Sequence, residues 1–204
     1  MALTGNYGMG KSSVAAMFKK LGAVVLDSDR IVAALLKEGP VIVRLRRLFS
    51  SRAMNADGTL NKRYIAETVF QRPTVRKKLE AILHPLVFER LESRFYALGG
   101  RKGIVLVEVP LLFEGGFEGQ FDRTITVHAN RKTVLSRLEA AGVSRGDALA
   151  RLDVQMDIRS KMRRADYLIQ NNGGKSETET QVRKIYRLLL KESEEKISAD
   201  RRRP

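Results

Sequence analysis

The segment Gly5-Asn6-Tyr7-Gly8-Met9-Gly10-Lys11-Ser12 is the most informative feature of this chain of 204 residues. It fits the pattern G-x-x-x-x-G-K-[ST], in which a glycine-rich turn opens a helix. Glycines let the backbone approach a polyphosphate with no side chain in the way, and amides at a helix start favour an anion. We therefore predict that the backbone from Gly8 to Ser13, together with Lys11, binds nucleotide phosphates. The Ser12 hydroxyl is the expected ligand of Mg²⁺.

The sequence on either side of this stretch supports that interpretation. Residues 12–21 predict a helix, because apolar side chains recur on one face at a spacing of three and four residues. Only Met1–Thr4 precede the glycines, which is short for a central parallel strand of about five residues. We expect either a clipped strand or a start further upstream. The alternative is a glycine-rich turn before a purely structural helix.

The composition limits the class of protein. Hydrophobic residues make up 43% and charged residues 30% of the chain, as in folded domains. The absence of cysteine excludes disulfides and thiolate metal sites. No apolar run approaches the ~20 residues of a membrane span, and the N-terminus lacks the pattern of a secretory signal. We expect a cytoplasmic protein with no membrane partner.

The net charge of +15 points to an anionic ligand. Tryptophan is absent, and aromatic residues are not interleaved with the basic clusters, so stacking platforms for single strands are not apparent. We expect no specific nucleic-acid partner, since phosphorylated small molecules explain the charge equally well. For Arg201–Pro204 we expect a frayed tail.

Short apolar runs alternate with helical patterns along the chain. The strands that we predict lie at residues 23–26, 104–109, 124–127 and 167–169. Helices are predicted between them, with a break at Gly39-Pro40, and a helix is expected to end or kink at His84-Pro85. This alternation predicts an α/β fold with a parallel sheet covered on both faces. Ligands of such sheets bind beyond the carboxyl ends of the strands.

Two carboxylates, Asp27 and Asp29, follow the second predicted strand. A carboxylate there can accept the proton of an attacking hydroxyl or hold Mg²⁺. The alternative is that one of them caps a helix starting near Arg30. We assign the role of base to Asp29 and a supporting role to Asp27.

The motifs together resemble the dephospho-CoA kinase family over nearly the whole chain, to about Gly173. The motifs that carry the resemblance, in order, are Leu3-Thr4-Gly5 with the glycine-rich loop, Asp27-x-Asp29, Asp57-Gly58-Thr59-Leu60, Leu79-Glu80-x-Ile82-x-His84-Pro85, Val109-Pro110-Leu111-Leu112-Phe113-Glu114 and Ala165-Asp166-Tyr167. The resemblance implies a three-layer α/β/α P-loop fold with a five-stranded parallel sheet, a helical substrate domain and a lid. It also implies transfer of phosphate from ATP, with Mg²⁺, to the ribose 3′-hydroxyl of dephospho-CoA. That reaction is the final step of coenzyme A synthesis.

The resemblance also implies roles for regions and residues. One domain, 1–204, is expected to consist of a core at about 1–40, 99–130 and 165–196, a helical substrate region at 41–98 and a lid at 131–164. Asp29 matches the catalytic base, and Asn171 occupies the loop beside the adenine. The residues assigned to substrate binding are Asp27, His84, Pro110 and Glu114. For His84 a structural role at a helix junction is an equal alternative, and Glu114 has the alternative of pairing with an arginine.

Some positions depart from the family pattern. Ala141 stands where the family commonly has a lid arginine, and Ala33 and Lys62 also replace arginines. A lid arginine neutralises charge on the transferred phosphoryl group. Three cations lie nearby in the sequence: Arg145, Arg151 and Lys161. We expect Arg145 to neutralise this charge in place of the missing arginine. The alternative functions are a P-loop kinase for another small hydroxyl or nucleotide substrate, and a non-catalytic nucleotide-binding protein. We expect a monomer.

Overall fold

The computed structural model describes residues 1–97 and 103–200, so the tail at 201–204 lies outside the described residues. The chain forms two units. One consists of Met1–Asp27 with Lys102–Pro204, and the other of Ser28–Arg101. The helical unit therefore begins at Ser28, earlier than residue 41, where the sequence analysis began the substrate region.

The first unit is built on a five-stranded sheet in which every described pairing is parallel. Its strands are β1 (Ala2–Thr4), β2 (Val24–Asp27), β3 (Val105–Glu108), β4 (Thr124–His128) and β5 (Tyr167–Gln170), in the order β2-β3-β1-β4-β5. β1 pairs with β3 on one side and β4 on the other. The predicted parallel α/β fold is confirmed. β1 has only three residues, yet all three are buried in the centre of the sheet.

The helices of the first unit flank this sheet. They are α1 (Lys11–Lys20), α6 (Arg131–Ala140), α7 (Arg145–Asp153), α8 (Ile158–Arg164) and α9 (Lys175–Asp200), with a short 3₁₀ helix at Glu118–Gln120. α1 and α9 pack against one another, and the core between helices and sheet includes Leu3, Phe18, Ile125 and Leu189. A loop at 141–144 separates α6 from α7. A second break, at 154–157, was not predicted.

The second unit is helical. It contains α2 (Ser28–Leu35), α3 (Gly39–Phe49), α4 (Lys62–Gln71) and α5 (Pro73–Ala97), with a 3₁₀ helix at Ser51–Ala53. α2 ends before Gly39-Pro40, and these residues open α3, which confirms the predicted break.

A helix was expected to end or kink at His84-Pro85, and the expected end is wrong, because α5 continues through Pro85. A proline inside a helix removes one backbone hydrogen bond. Leu83, Val87 and Leu91 on either side of it are buried, and α5 packs against α2, α3 and α4. This packing stabilises the helix across the proline.

Among the described residues, no helix is long and apolar enough to cross a bilayer.

Candidate active site

The glycine-rich turn forms a loop between β1 and α1, as the motif predicts. Gly8 has φ of +74°, and a Cβ there would lie 2.9 Å from Val134 Cγ1 of α6. Only glycine tolerates both the positive φ and this close approach. Met9 is buried in the same apolar cluster as Val134, so its side chain anchors the loop. Met9 can therefore offer a ligand its backbone alone.

Lys11 places its ammonium group over this loop. Its Nζ donates hydrogen bonds to the carbonyl oxygens of Gly5, at 2.8 Å, and Asn6, at 3.2 Å. Ser12 and Ser13 follow in the first turn of α1, where both residues are exposed. Backbone amides in the first turn of a helix lack intrahelical acceptors. The cation, the amides and the hydroxyls thus converge at one helix end, and this arrangement suits a polyphosphate.

A carboxylate on the neighbouring strand completes this group of polar side chains. Ser12 Oγ donates a hydrogen bond to Glu108 Oε2 at 3.2 Å. Glu108 ends β3, and its register partner on β2 is Asp27. Register partners lie side by side at the same edge of the sheet, so Asp27 and Glu108 are neighbours beside the phosphate loop. Hydroxyl and carboxylate oxygens are the protein ligands that Mg²⁺ prefers.

Glu108 is a residue that the sequence analysis missed. The signal was available, because Glu108 is an acidic residue at the end of the clearest strand. Its partner Ser12 lies 96 positions earlier in the chain, however, so the pairing becomes visible only when β3 is placed beside β1.

Asn171 lies against the outside of the phosphate loop. Its Nδ2 donates to the carbonyl oxygen of Met9 at 3.0 Å, and its Oδ1 accepts a hydrogen bond from Thr178 Oγ1 at 3.0 Å. The next residue, Asn172, accepts from the backbone N–H of Asn130, the residue that caps α6. The loop after β5 therefore ties the phosphate loop to the start of α6.

The segment after β3 is held by a buried cation. Lys161 is fully buried, and its Nζ lies 2.8 Å from Glu114 Oε1 and 3.1 Å from the Pro110 carbonyl oxygen. Burial lowers the pKa of the Lys161 ammonium, and the bonded Glu114 carboxylate opposes that shift. The partner of Glu114 is a lysine and not the arginine considered above. Lys161 was one of three candidates to replace the arginine that the family has at position 141, and its ammonium group is buried on these two acceptors.

Two further contacts join the phosphate loop to the segment between α7 and α8. Asn6 Nδ2 donates to the Met156 carbonyl oxygen at 2.9 Å, and the Tyr7 N–H donates to Gln155 Oε1 at 2.8 Å. The motif leaves the residue type open at Asn6 and Tyr7, so these contacts could not be predicted from it.

The two arginines considered for the transferred phosphoryl group, Arg145 and Arg151, have different partners. Arg145 lies 3.1 Å from Glu139, and two-thirds of its side chain is exposed. The Arg151 guanidinium carbon lies 5.0 Å from the centre of the Tyr7 ring. An exposed ion pair such as that of Arg145 is worth about 0–1 kcal/mol and is easily exchanged for another anion.

Asp29 and His84 belong to the helical unit. Asp29 lies in the first turn of α2, which begins at Ser28, two residues before Arg30. A carboxylate in a first turn is favoured by the helix dipole. His84 lies in α5, where burial lowers the pKa of its imidazole and the nearby Glu80 partly offsets the effect.

Comparison with known proteins assigns this arrangement to a family. A family model described as dephospho-CoA kinase matches residues 1–177. A dephospho-CoA kinase from Syntrophotalea carbinolica is 37% identical over 185 residues, which cover 89% of this chain and 88% of the relative. A dephospho-CoA kinase from Aquifex aeolicus is 34% identical over 193 residues, covering 94% of this chain and 98% of the relative.

A solved structure is similar to this chain as well. The crystal structure of TT1252 from Thermus thermophilus superposes with a TM-score of 0.81 at 36% identity, covering 90% of this chain and 93% of that one. The family model, the relatives and the phosphate loop agree. The chain therefore belongs to the dephospho-CoA kinase family, whose members use ATP to phosphorylate the 3′-hydroxyl of dephospho-CoA in the final step of coenzyme A synthesis.

Proposed function

We propose that this kinase works with Mg²⁺ held at Ser12 and Glu108, and with Asp29 as the base that receives the proton of the ribose 3′-hydroxyl. The observation that carries the proposal is the 3.2 Å contact between Ser12 Oγ and Glu108 Oε2, beside the phosphate loop and next to Asp27. Phosphoryl transfer depends mainly on positioning and charge stabilisation, and this group of residues supplies both.

The phosphate loop would bind ATP through its backbone. The amides from Gly8 to Ser13 approach the phosphates, and Lys11 contributes a cation. In the structure Lys11 Nζ is bonded to two carbonyl oxygens of the same loop, which hold the ammonium group at the loop mouth. Because a phosphate oxygen carries more charge than a carbonyl oxygen, it would compete successfully for this cation.

Magnesium fits the donors at the end of β3. Among the described residues, no cluster of three or more histidine or acidic side chains could enclose a metal. Mg²⁺ typically takes only one or two protein ligands and completes its shell with water and substrate phosphates. Ser12 and Glu108 supply two oxygen donors, with Asp27 as a neighbour able to hold a coordinated water. When bound, the ion neutralises charge on the phosphates.

Asp29 would remove the acceptor proton. The proton of the ribose 3′-hydroxyl moves to the Asp29 carboxylate as the hydroxyl oxygen bonds to the γ-phosphorus. The bond between the γ-phosphorus and the bridging oxygen breaks, and ADP leaves. Asp29 follows Asp27 by two residues and lies in the first turn of α2.

The helical unit would receive dephospho-CoA. We place the substrate against residues 41–98, with His84 as a contact and Asp27 at the reacting end. Pro110 and Glu114 are engaged by Lys161, so their contribution would be a fixed wall of the site and not a movable polar contact.

Arg145 would close on the transferred phosphoryl group. Its pair with Glu139 is exposed, so the cost of leaving Glu139 is small. Replacement of Arg145 by alanine should lower kcat by about 10²-fold, as for loss of one transition-state donor. Arg151→Ala is the matched comparison, since Arg151 lies on the Tyr7 ring. A larger loss of kcat for Arg151→Ala than for Arg145→Ala would assign the role to Arg151.

We further propose that the protein acts as a cytoplasmic monomer, because its reaction needs only the two substrates that the cytoplasm supplies. Light scattering during gel filtration tests the monomer, and a mass of two chains would refute it.

The mechanism is tested by ADP release in a coupled assay with ATP and dephospho-CoA, with and without Mg²⁺. Turnover that persists unchanged after chelation of divalent ions would refute the metal site.

A further inference from the structure

We infer that Asn171 is a positioning residue of the phosphate loop: it fixes the Met9–Gly10 peptide so that the Gly10 N–H faces the nucleotide phosphates. The inference rests on the proposed binding of ATP by this loop, and it replaces the adenine contact that the resemblance implies for Asn171. It assigns the residue to the orientation of the loop backbone.

The side-chain amide of Asn171 is engaged at both ends. Nδ2 donates to the Met9 carbonyl oxygen at 3.0 Å, while Oδ1 accepts from Thr178 Oγ1 at 3.0 Å. The backbone of Asn171 is fixed as well, because its N–H donates to the His128 carbonyl oxygen at 2.8 Å. Thr178 is 1% exposed, so its hydroxyl is held firmly in α9. The amide therefore has one defined orientation toward Met9.

The geometry of a peptide bond carries this orientation to the next residue. In a trans peptide the C=O of one residue and the N–H of the next lie in one plane and point in opposite directions. The Met9 carbonyl and the Gly10 N–H form one such unit. Because the carbonyl points outward to Asn171, the Gly10 N–H points to the opposite side, into the loop.

The loop needs this constraint because the Met9–Gly10 peptide leads into a glycine. Gly8 and Gly10 both have positive φ, at +74° and +88°. A flip of the Met9–Gly10 peptide changes ψ of Met9 and φ of Gly10, and glycine crosses between positive and negative φ at little cost. The peptide would therefore flip readily if no partner held the carbonyl. A flipped peptide would turn the Met9 oxygen, and not an N–H, toward the phosphates.

The contact also explains why Gly10 admits no side chain. A Cβ at Gly10 would lie 2.2 Å from Asn171 Nδ2. The close approach that lets Asn171 reach the Met9 carbonyl is therefore possible only with glycine at this position. The contact between Asn171 and Met9 therefore depends on glycine at position 10, although residues 10 and 171 lie far apart in the sequence.

The test distinguishes a residue that orients the phosphate loop from a residue that contacts the adenine. Asn171→Ala should weaken ADP and GDP binding by the same factor, about fivefold to tenfold, which is the usual effect of one lost hydrogen bond. Calorimetric binding does not depend on turnover of dephospho-CoA, so it remains informative if the proposed base or metal site fails. KM for ATP should rise by a similar factor, whereas KM for dephospho-CoA should stay within twofold.

Thr178→Val provides a second variant if Asn171→Ala folds poorly. It removes the hydroxyl that orients the Asn171 amide, and it should weaken the binding of ADP and of GDP two- to threefold. Thr180→Val is the matched control, because the Thr180 hydroxyl donates to Ser176 within α9 and should leave binding unchanged. Unchanged affinity in both Asn171→Ala and Thr178→Val would overturn the inference. A loss confined to ADP, with GDP unaffected, would also overturn it and assign Asn171 to the adenine.

Discussion

The hydroxyl of Ser12 donates to the carboxylate of Glu108 at 3.2 Å, and this contact joins the first helix to the strand beside β1. Glu108 is the register partner of Leu3 on β1 and of Asp27 on β2. Three segments that are distant in sequence thus present their polar groups at one edge of the sheet. This edge is where a parallel sheet binds its ligands.

Glu108→Gln should reduce the response to magnesium. The substitution keeps the shape of the side chain and removes its charge, so we expect about a 10- to 100-fold loss of activity at low Mg²⁺ concentration. The loss should shrink as the Mg²⁺ concentration rises. Steady-state rates measured across a range of Mg²⁺ concentrations check this, with the exposed Glu92→Gln as control. A Mg²⁺ dependence identical to that of the unaltered protein would contradict the role of Glu108.

Asp29→Asn should separate catalysis from nucleotide binding. The amide cannot accept the proton of the 3′-hydroxyl, so kcat should fall by about 10²- to 10⁴-fold. The dissociation constant of ADP should change less than twofold, because the phosphate loop is unaltered. If ADP affinity and kcat fall by the same factor, Asp29 acts through folding or nucleotide binding and is not the base.

Lys161→Met should destabilise the protein. The substitution leaves the Glu114 carboxylate beside a methionine and removes the donor to Pro110. Breaking a fully buried ion pair costs about 3–5 kcal/mol, and we expect about 2–3 kcal/mol here because 21% of Glu114 is exposed. Urea unfolding measures this free energy. Lys184→Met on the exposed face of α9 is the control. Equal stability of the two variants would refute a structural role for the pair.

Both histidines should titrate below the ordinary pKa of 6.5. Burial lowers the pKa of His84 and of His128, because it disfavours the charged imidazolium. As the pH falls through 6.5 toward the folded-state values, the unfolded chain binds more protons, so the free energy of unfolding should decrease. Proton NMR titration of the two imidazoles tests this, with His84→Gln for assignment. A midpoint above 6.5 for either imidazole would contradict the expected effect of burial.

The local sequence was sufficient to predict the phosphate loop and the parallel sheet. Loop conformation depends on Gly8 and Gly10 themselves, and the apolar runs that become β2 to β5 were visible as short segments between helices. The three residues of β1 sufficed for a central strand, because β3 and β4 bury it on both sides.

The remainder depended on partners distant in sequence. Pro85 was expected to interrupt a helix, but the packing of Leu83 and Val87 outweighs the lost hydrogen bond. Lys161 was one of three candidates for the missing arginine, whereas the fold of the chain buries it beside Glu114. Composition and periodicity carry no information on such pairs, so only the assembled structure could identify them.

The proposed reaction is tested most directly by identifying the product formed from ATP and dephospho-CoA in the presence of Mg²⁺. We predict one equivalent of ADP for each coenzyme A, with the new phosphate on the ribose 3′-oxygen by phosphorus NMR. Asp29→Asn should abolish most of this product while still binding ADP. A phosphate on any other oxygen, or ADP release that does not require dephospho-CoA, would rule out the proposed reaction.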